Sequence, residues 1–182
     1  MEELFVLTEE HEAIRQRLDE LEGLLQAVGS NGPGAVERLV HSLHQTVVLA
    51  RDIHQPKEQA VFLARVGTKA GIQKCVLDAA VGEENRLIHA LAELLADVEA
   101  HGIRSASLLG VRLLPLLSAM RHAMDWEDQV LYPLAYLACN EEDLWDLSVA
   151  LDRAVDAGGR ALRETNIAPL LQGIRLRAAA CC

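Results

Sequence analysis

Seven polar residues fall on helical stripes that are otherwise apolar. In the first helical segment Ile14, Leu18, Leu21, Leu25 and Val28 make an inward seam, and extending it back by three residues lands on His11. In the second, Val36, Val40, Leu43, Val47 and Ala50 continue in register to His54 and Glu58, before Val61 resumes the apolar character. The third carries Val81, Asn85, Ile88, His89, Ala92 and Leu95, with Asn85 and His89 one turn apart. In the fourth, Leu108, Val111 and Ser118 lead to His122, and Glu127 follows five residues later. A single buried histidine is more often a satisfied core residue than a ligand, but here several coincide. A helix rises about 1.5 Å per residue, so the positions can share one level of a bundle if the third helix is offset along the axis. Carboxylates buried there without partners would be costly, and a cation resolves the cost. Terminal imidazoles with carboxylates able to bridge two ions are a donor set for iron or manganese.

The elements that must position these residues are helices. Aromatics make up only 3% of the chain, β-branched runs are scarce, and Leu, Ala, Glu and Arg recur every three or four residues. The fold class is all-α. Breaks at 29–34, 66–71, 100–105, Asn140 and 156–159 leave helices over about 5–28, 35–66, 71–100, 105–139 and 141–157. Short links predict an up-down-up-down antiparallel four-helix bundle from the first four. An additional C-terminal helix, capped by Asn140 with Asp143, should lay Leu144, Leu147 and Leu151 against it. Residues 1–157 thus form one domain and 158–182 a tail. Pro56, inside "HQPKE", removes a helical donor and crowds the carbonyl of Asp52. It predicts a kink that aims His54 and Glu58 at the bundle centre.

Composition narrows the function. The 182 residues, 51% hydrophobic, suit one buried core. With 17 basic against 27 acidic residues the net charge is −10, which argues against nucleic-acid and anionic-membrane partners. The start has no basic and apolar leader, so a cytoplasmic location is expected, and the longest apolar run is broken by Arg112 and Pro115. Cys75 and Cys139 are expected as buried inert thiols and Cys181–Cys182 as an exposed tail. A HExxH zinc motif, the Glu-x-x-His of ferritin-like bundles, a nucleophile elbow and a phosphate loop are all absent.

The segments "EEHEAI", "HQPKE", "NRLIH" and "HAMDWE" together resemble the hemerythrin-like (HHE cation-binding) domains over about residues 5–139. That family has a His in helix one, HxxxE in helix two, HxxxH in helix three and HxxxxD/E in helix four. The resemblance implies His11, His54, Glu58, His89, His122 and Glu127 as metal ligands to two non-haem iron ions, with Glu58 and Glu127 bridging. The same ligands also suit manganese or zinc. Asn85 stands where the family has a histidine, and an amide is a poor iron ligand, so one ion is expected to be weakly held, absent, or left with an extra open position. The five-residue step from His122 to Glu127 turns by about 140° on a regular helix, so a π-type widening between them is expected.

The expected function is binding or reduction of a small diatomic or peroxidic ligand, dioxygen, nitric oxide or peroxide, in a sensor, scavenger or iron-handling protein, monomeric or homodimeric. Whether it turns over is left open. The alternative is a degenerate, metal-poor bundle acting as a protein interaction module.

Overall fold

The computed structural model describes residues 4–31, 33–69, 73–103 and 106–164, with side chains for all of these except 5, 29–31, 33, 106–107 and 155–164. They form five helices, with no strand among them. Helix α1 is Phe5–Asn31. Helix α2 covers 33–66 and holds two π-helical stretches, Leu49–His54 and Glu58–Leu63, on either side of Gln55–Lys57. Helix α3 is Lys74–His101. Helix α4 covers 106–138, with a π-helical stretch at Glu127–Leu131. Helix α5 is Glu141–Glu164. None of these helices is long and apolar enough to cross a membrane.

Each of the first four helices packs on its neighbour in the chain, and α4 closes the ring against α1. The α1 seam is heptad-like: Leu4, Leu7, His11, Ile14, Leu18, Leu21 and Leu25 are all buried. Helix α3 stops at Gly102, whose φ of 71° suits the glycine that commonly follows a helix, and its N–H donates to Val98 O at 2.8 Å. Helix α5 begins with a reciprocal cap: Asp143 N–H donates to Asn140 Oδ1 at 2.8 Å and Asn140 N–H to Asp143 Oδ2 at 3.2 Å. It buries Leu147 and Leu151 and packs on the two π-helical stretches of α2. The fifth helix therefore braces the part of α2 that carries His54 and Glu58.

Several expectations change. Helix α5 runs through Gly158 and Gly159 to Glu164, since two helical glycines cost only about 1 kcal/mol each. Cys75 is exposed and Cys139 half-buried, just past the end of α4. Cys181, Cys182 and the tail from 165 lie outside the described residues. In α4 the inward seam is Leu109, Leu113, Leu117, Met120, Met124, Glu127 and Leu131, while Leu108 and Val111 are 64% and 73% exposed. Of the expected stripe only Glu127 lies on this seam, while Leu108, Val111, Ser118 and His122 are all exposed. In α3 the buried face is Leu77, Glu84, Leu87, Ile88, Leu91, Leu94, Leu95 and Val98; the expected Ile88 and Leu95 lie on it, whereas Asn85 and His89 are exposed.

The apolar core divides in two. One cluster joins Ile14, Ala50, Leu87 and Met124, and the other joins Leu7, Phe62, Leu77 and Leu131. On every one of the four helices a polar residue separates them: His11, His54 with Glu58, Glu84 and Glu127.

Candidate metal centre

The polar layer is built from paired imidazoles. His11 and His54 are both buried and point Nε2 at one another, 3.1 Å apart. Each is held from behind. His11 Nδ1 donates to Asp128 Oδ1 at 2.9 Å, and Asp128 Oδ2 accepts from Arg15 at 2.6 Å. His54 Nδ1 donates to Glu10 Oε2 at 3.2 Å, and Glu10 also accepts from Lys57, a buried lysine. A carboxylate on Nδ1 places the proton there and leaves Nε2 as a lone pair facing inward. Two such lone pairs face to face require a proton or a metal ion between them.

Carboxylates complete the ring. Glu127 Oε2 lies 3.2 Å from His11 Nε2, and Glu58 Oε2 lies 3.9 Å from His54 Nε2. Donor atoms of His11, His54 and Glu127 lie within 4.8 Å of one another, and so do those of His54, Glu58 and Glu84. Since Nδ1 of His54 is engaged by Glu10, its single Nε2 serves only one of the two groups at a time. Glu84 Oε1 is buried without a hydrogen-bond partner. Burial, then the charges of Glu127 and Glu84, pushes the Glu58 carboxyl well above the usual carboxylate range, and burial raises Glu84 as well. Burial works to lower His11, but the bonds to Asp128 and Glu127 prevail and hold it above the ordinary histidine value.

The π-helical stretches shape this layer. In α2 Gln55 N–H bonds back five residues to Ala50 O, and Pro56 follows at once. In α4 Tyr132 N–H bonds back five residues to Glu127 O, and Pro133 follows. In both helices the wider turn ends two residues before a proline, easing the clash of its ring with the preceding turn. The device around Pro56 is thus a pair of widened turns flanking "QPK", with His54 closing one and Glu58 opening the other. In α4 the widening starts at Glu127 instead of lying between it and His122, so His122 stays on the regular helix about 140° away and is exposed.

Of the residues expected from the sequence, the structure brings together His11, His54, Glu58 and Glu127. It leaves His89 75% exposed, paired to Glu93 at 3.3 Å, and Asn85 at the surface accepting from Gln55 at 2.8 Å. Glu84 takes the place on α3 that the sequence reading gave to Asn85 and His89. The signal was present: Leu77, Glu84, Leu91 and Val98 are spaced seven apart on one buried face. Tyr132 was also missed. Its hydroxyl is 3.3 Å from His11 Nε2 and donates to Glu58 Oε1 at 3.4 Å, and burial, then Glu58 and Glu127, raises its pKa well above the usual phenol value.

Beside the layer a cavity of about 20 Å³ is lined by His54, Glu84 and Glu127 together with Met120, Met124 and Ala123. That is enough for one small ion or water. The donor set, two imidazoles and three carboxylates around an orphaned Glu84 oxygen, fits hard or borderline cations such as iron and manganese. Among known proteins, the family sequence model described as the hemerythrin HHE cation binding domain matches residues 4–135. No curated protein and no solved structure matches the chain.

Proposed function

The chain belongs to the hemerythrin HHE cation-binding domain family, and from that premise we propose that it is a non-haem di-iron protein that binds or reduces dioxygen, nitric oxide or a peroxide. One observation carries this: five buried donor side chains converge, one carboxylate oxygen of which has no protein partner. His11 with Glu127 would hold one ion and His54 with Glu58 and Glu84 the other, with Glu58 and Glu127 taking the bridging roles that the family resemblance implies. Iron bound there would supply electrons and an open coordination position for the small ligand.

The chain's own residues set the character of that centre. Asp128 and Glu10 orient the two imidazoles and hold their protons at Nδ1. Three carboxylates against two imidazoles make an oxygen-rich set that favours the ferric state, which suits a scavenger, sensor or iron-handling protein better than a reversible oxygen carrier. The first four helices are read as an antiparallel up-down-up-down bundle, supported by their closed ring of packing. Free thiols at Cys75 and Cys139 support a reducing, cytoplasmic setting. The net charge of −10 supports a protein without nucleic-acid or membrane partners, monomeric or homodimeric.

A second reading, a metal-poor interaction module, draws on the exposure of His89 and His122 and on Trp145 standing 69% exposed on α5. Elemental analysis of protein from iron-supplemented cells separates the two. The di-iron reading expects about two irons per chain, falling in His54→Ala, Glu58→Ala and Glu84→Ala. Folded protein without metal would leave the interaction module in front.

A further inference from the structure

A second, larger cavity reaches the same layer from outside. It is a cleft of about 480 Å³ between the first half of α3 and the part of α4 that precedes the π-helical stretch. Its walls are Ala79 and Ala80 on one side and Ala119, Ala123 and Trp126 on the other. Alanines facing each other across two helices leave a gap that longer side chains would have filled. Of its polar lining residues Glu127 is buried, while Glu83 and His122 are exposed. Ala123 and Glu127 also line the 20 Å³ cavity beside His54 and Glu84, so cleft and centre adjoin at these two residues.

We propose that this cleft binds a slender, uncharged organic molecule bearing one terminal hydroxyl or hydroperoxyl group, with its oxygen end at Glu127 and its carbon chain along the alanine walls. Size, wall chemistry and charge each point there. A diatomic ligand needs no more room than a water, about 30 Å³, whereas the cleft lies within the roughly 300–1,000 Å³ of small-molecule sites and has their mostly apolar walls. Glu83 and Glu127 flank it, no lysine or arginine lines it among the described residues, and the chain carries a net charge of −10, all of which disfavour an anion such as a fatty acid. A hydroxyl or hydroperoxyl hydrogen can be donated to the Glu127 carboxylate, and the His122 ring offers a second polar contact. The inference deepens the proposed function by naming the class of molecule delivered to the centre. It rests on that reading only for what lies beyond Glu127.

The test uses Trp126 as a built-in probe and needs no metal. Trp145→Phe removes the chain's other tryptophan, an exposed one, so that fluorescence reports on the cleft. The metal-free protein is titrated with 8-bromo-1-octanol, whose bromine quenches indole on contact. Saturable quenching is expected, with binding at least about tenfold weaker in Ala79→Leu and Ala119→Leu, whose side chains occupy the space the carbon chain needs. The corresponding bromo-octanoate should bind at least about tenfold more weakly than the alcohol. Quenching that rises linearly without saturation, that is unchanged in both leucine variants, or that is as strong for the carboxylate overturns the proposal. Because metal is absent throughout, such a failure leaves the metal count untouched, and a chain that binds no iron yet binds the alcohol fails the other reading alone.

Discussion

The two imidazoles of the centre are equally buried and wired alike, but the cations behind them differ in exposure. Each has a carboxylate on Nδ1 and a cation behind that carboxylate: His11–Asp128–Arg15 between α1 and α4, and His54–Glu10–Lys57 between α2 and α1. The Arg15 side chain is 23% exposed and shared with Asp125, whereas that of Lys57 is 4% exposed and meets Glu10 alone among the described ion pairs. The two carboxylates are similarly half-covered, so the contrast lies in the cations: Arg15 reaches solvent and Lys57 is enclosed by protein. A sealed ion pair is costly to break because the surviving charge has no water to fall back on, while an open one loses little.

The largest effect that would break this contrast is on Lys57. Lys57→Met should destabilise the metal-free protein by about 3 kcal/mol, read as a lower denaturant midpoint, with little change on adding salt. Next come the carboxylates. Glu10→Gln and Asp128→Asn should each weaken metal binding by about 10–100-fold in a chelator competition while the protein stays folded. Equal losses at both would show that orientation of the ring, rather than burial of the relay, governs affinity. Third is pH. Glu58 and Glu84 have raised pKa values in the fold, so folding without metal favours their protonated forms, and that stability is present at low pH and lost as pH rises through the raised values. The Tm of metal-free protein should therefore fall as pH rises above the ordinary carboxylate range, and Glu84→Gln should flatten the fall. Arg15→Met should cost no more than about 1 kcal/mol, shrinking with salt. Smallest are His89→Ala and His122→Ala, exposed side chains whose loss should shift stability by less than about 0.5 kcal/mol and leave the metal count unchanged. A large drop in metal on removing His122 would show that α4 turns inward when the centre is loaded.

How legible the site was differed from helix to helix. In α1 and α2 the apolar residues are dense, so their phase was unambiguous and carried His11, His54 and Glu58 inward. In α3 and α4 apolar side chains cover more than one face, with Leu108, Val111 and Leu114 exposed, so the expected seams caught Ile88, Leu95 and Glu127 but also took in the exposed His89 and His122. The seven-residue spacing through Leu77, Leu91 and Val98 would have located Glu84. The place of the π-type turn in α4 was not legible, because it depends on Pro133 and on how the following turn packs rather than on the spacing of donors. The relay through Lys57 was also hidden, since a lysine beside a proline reads as surface until its partner on another helix is seen.

The polar layer has one more consequence, for cooperativity. It cuts the core into two apolar bodies, and the smaller one gathers Leu4 and Leu7 with Phe62, Leu131, Leu147 and Leu151 from four different helices. With like charges at the boundary, the smaller body can open on its own while the larger stays folded, as a separate unit of native-state exchange. An ion held from both sides of the boundary joins the two. In hydrogen exchange the amides of α5 and of the last turns of α4 would then pass from local opening to the same opening free energy as the rest of the bundle, so that the metal acts as the rivet that makes two folding units one.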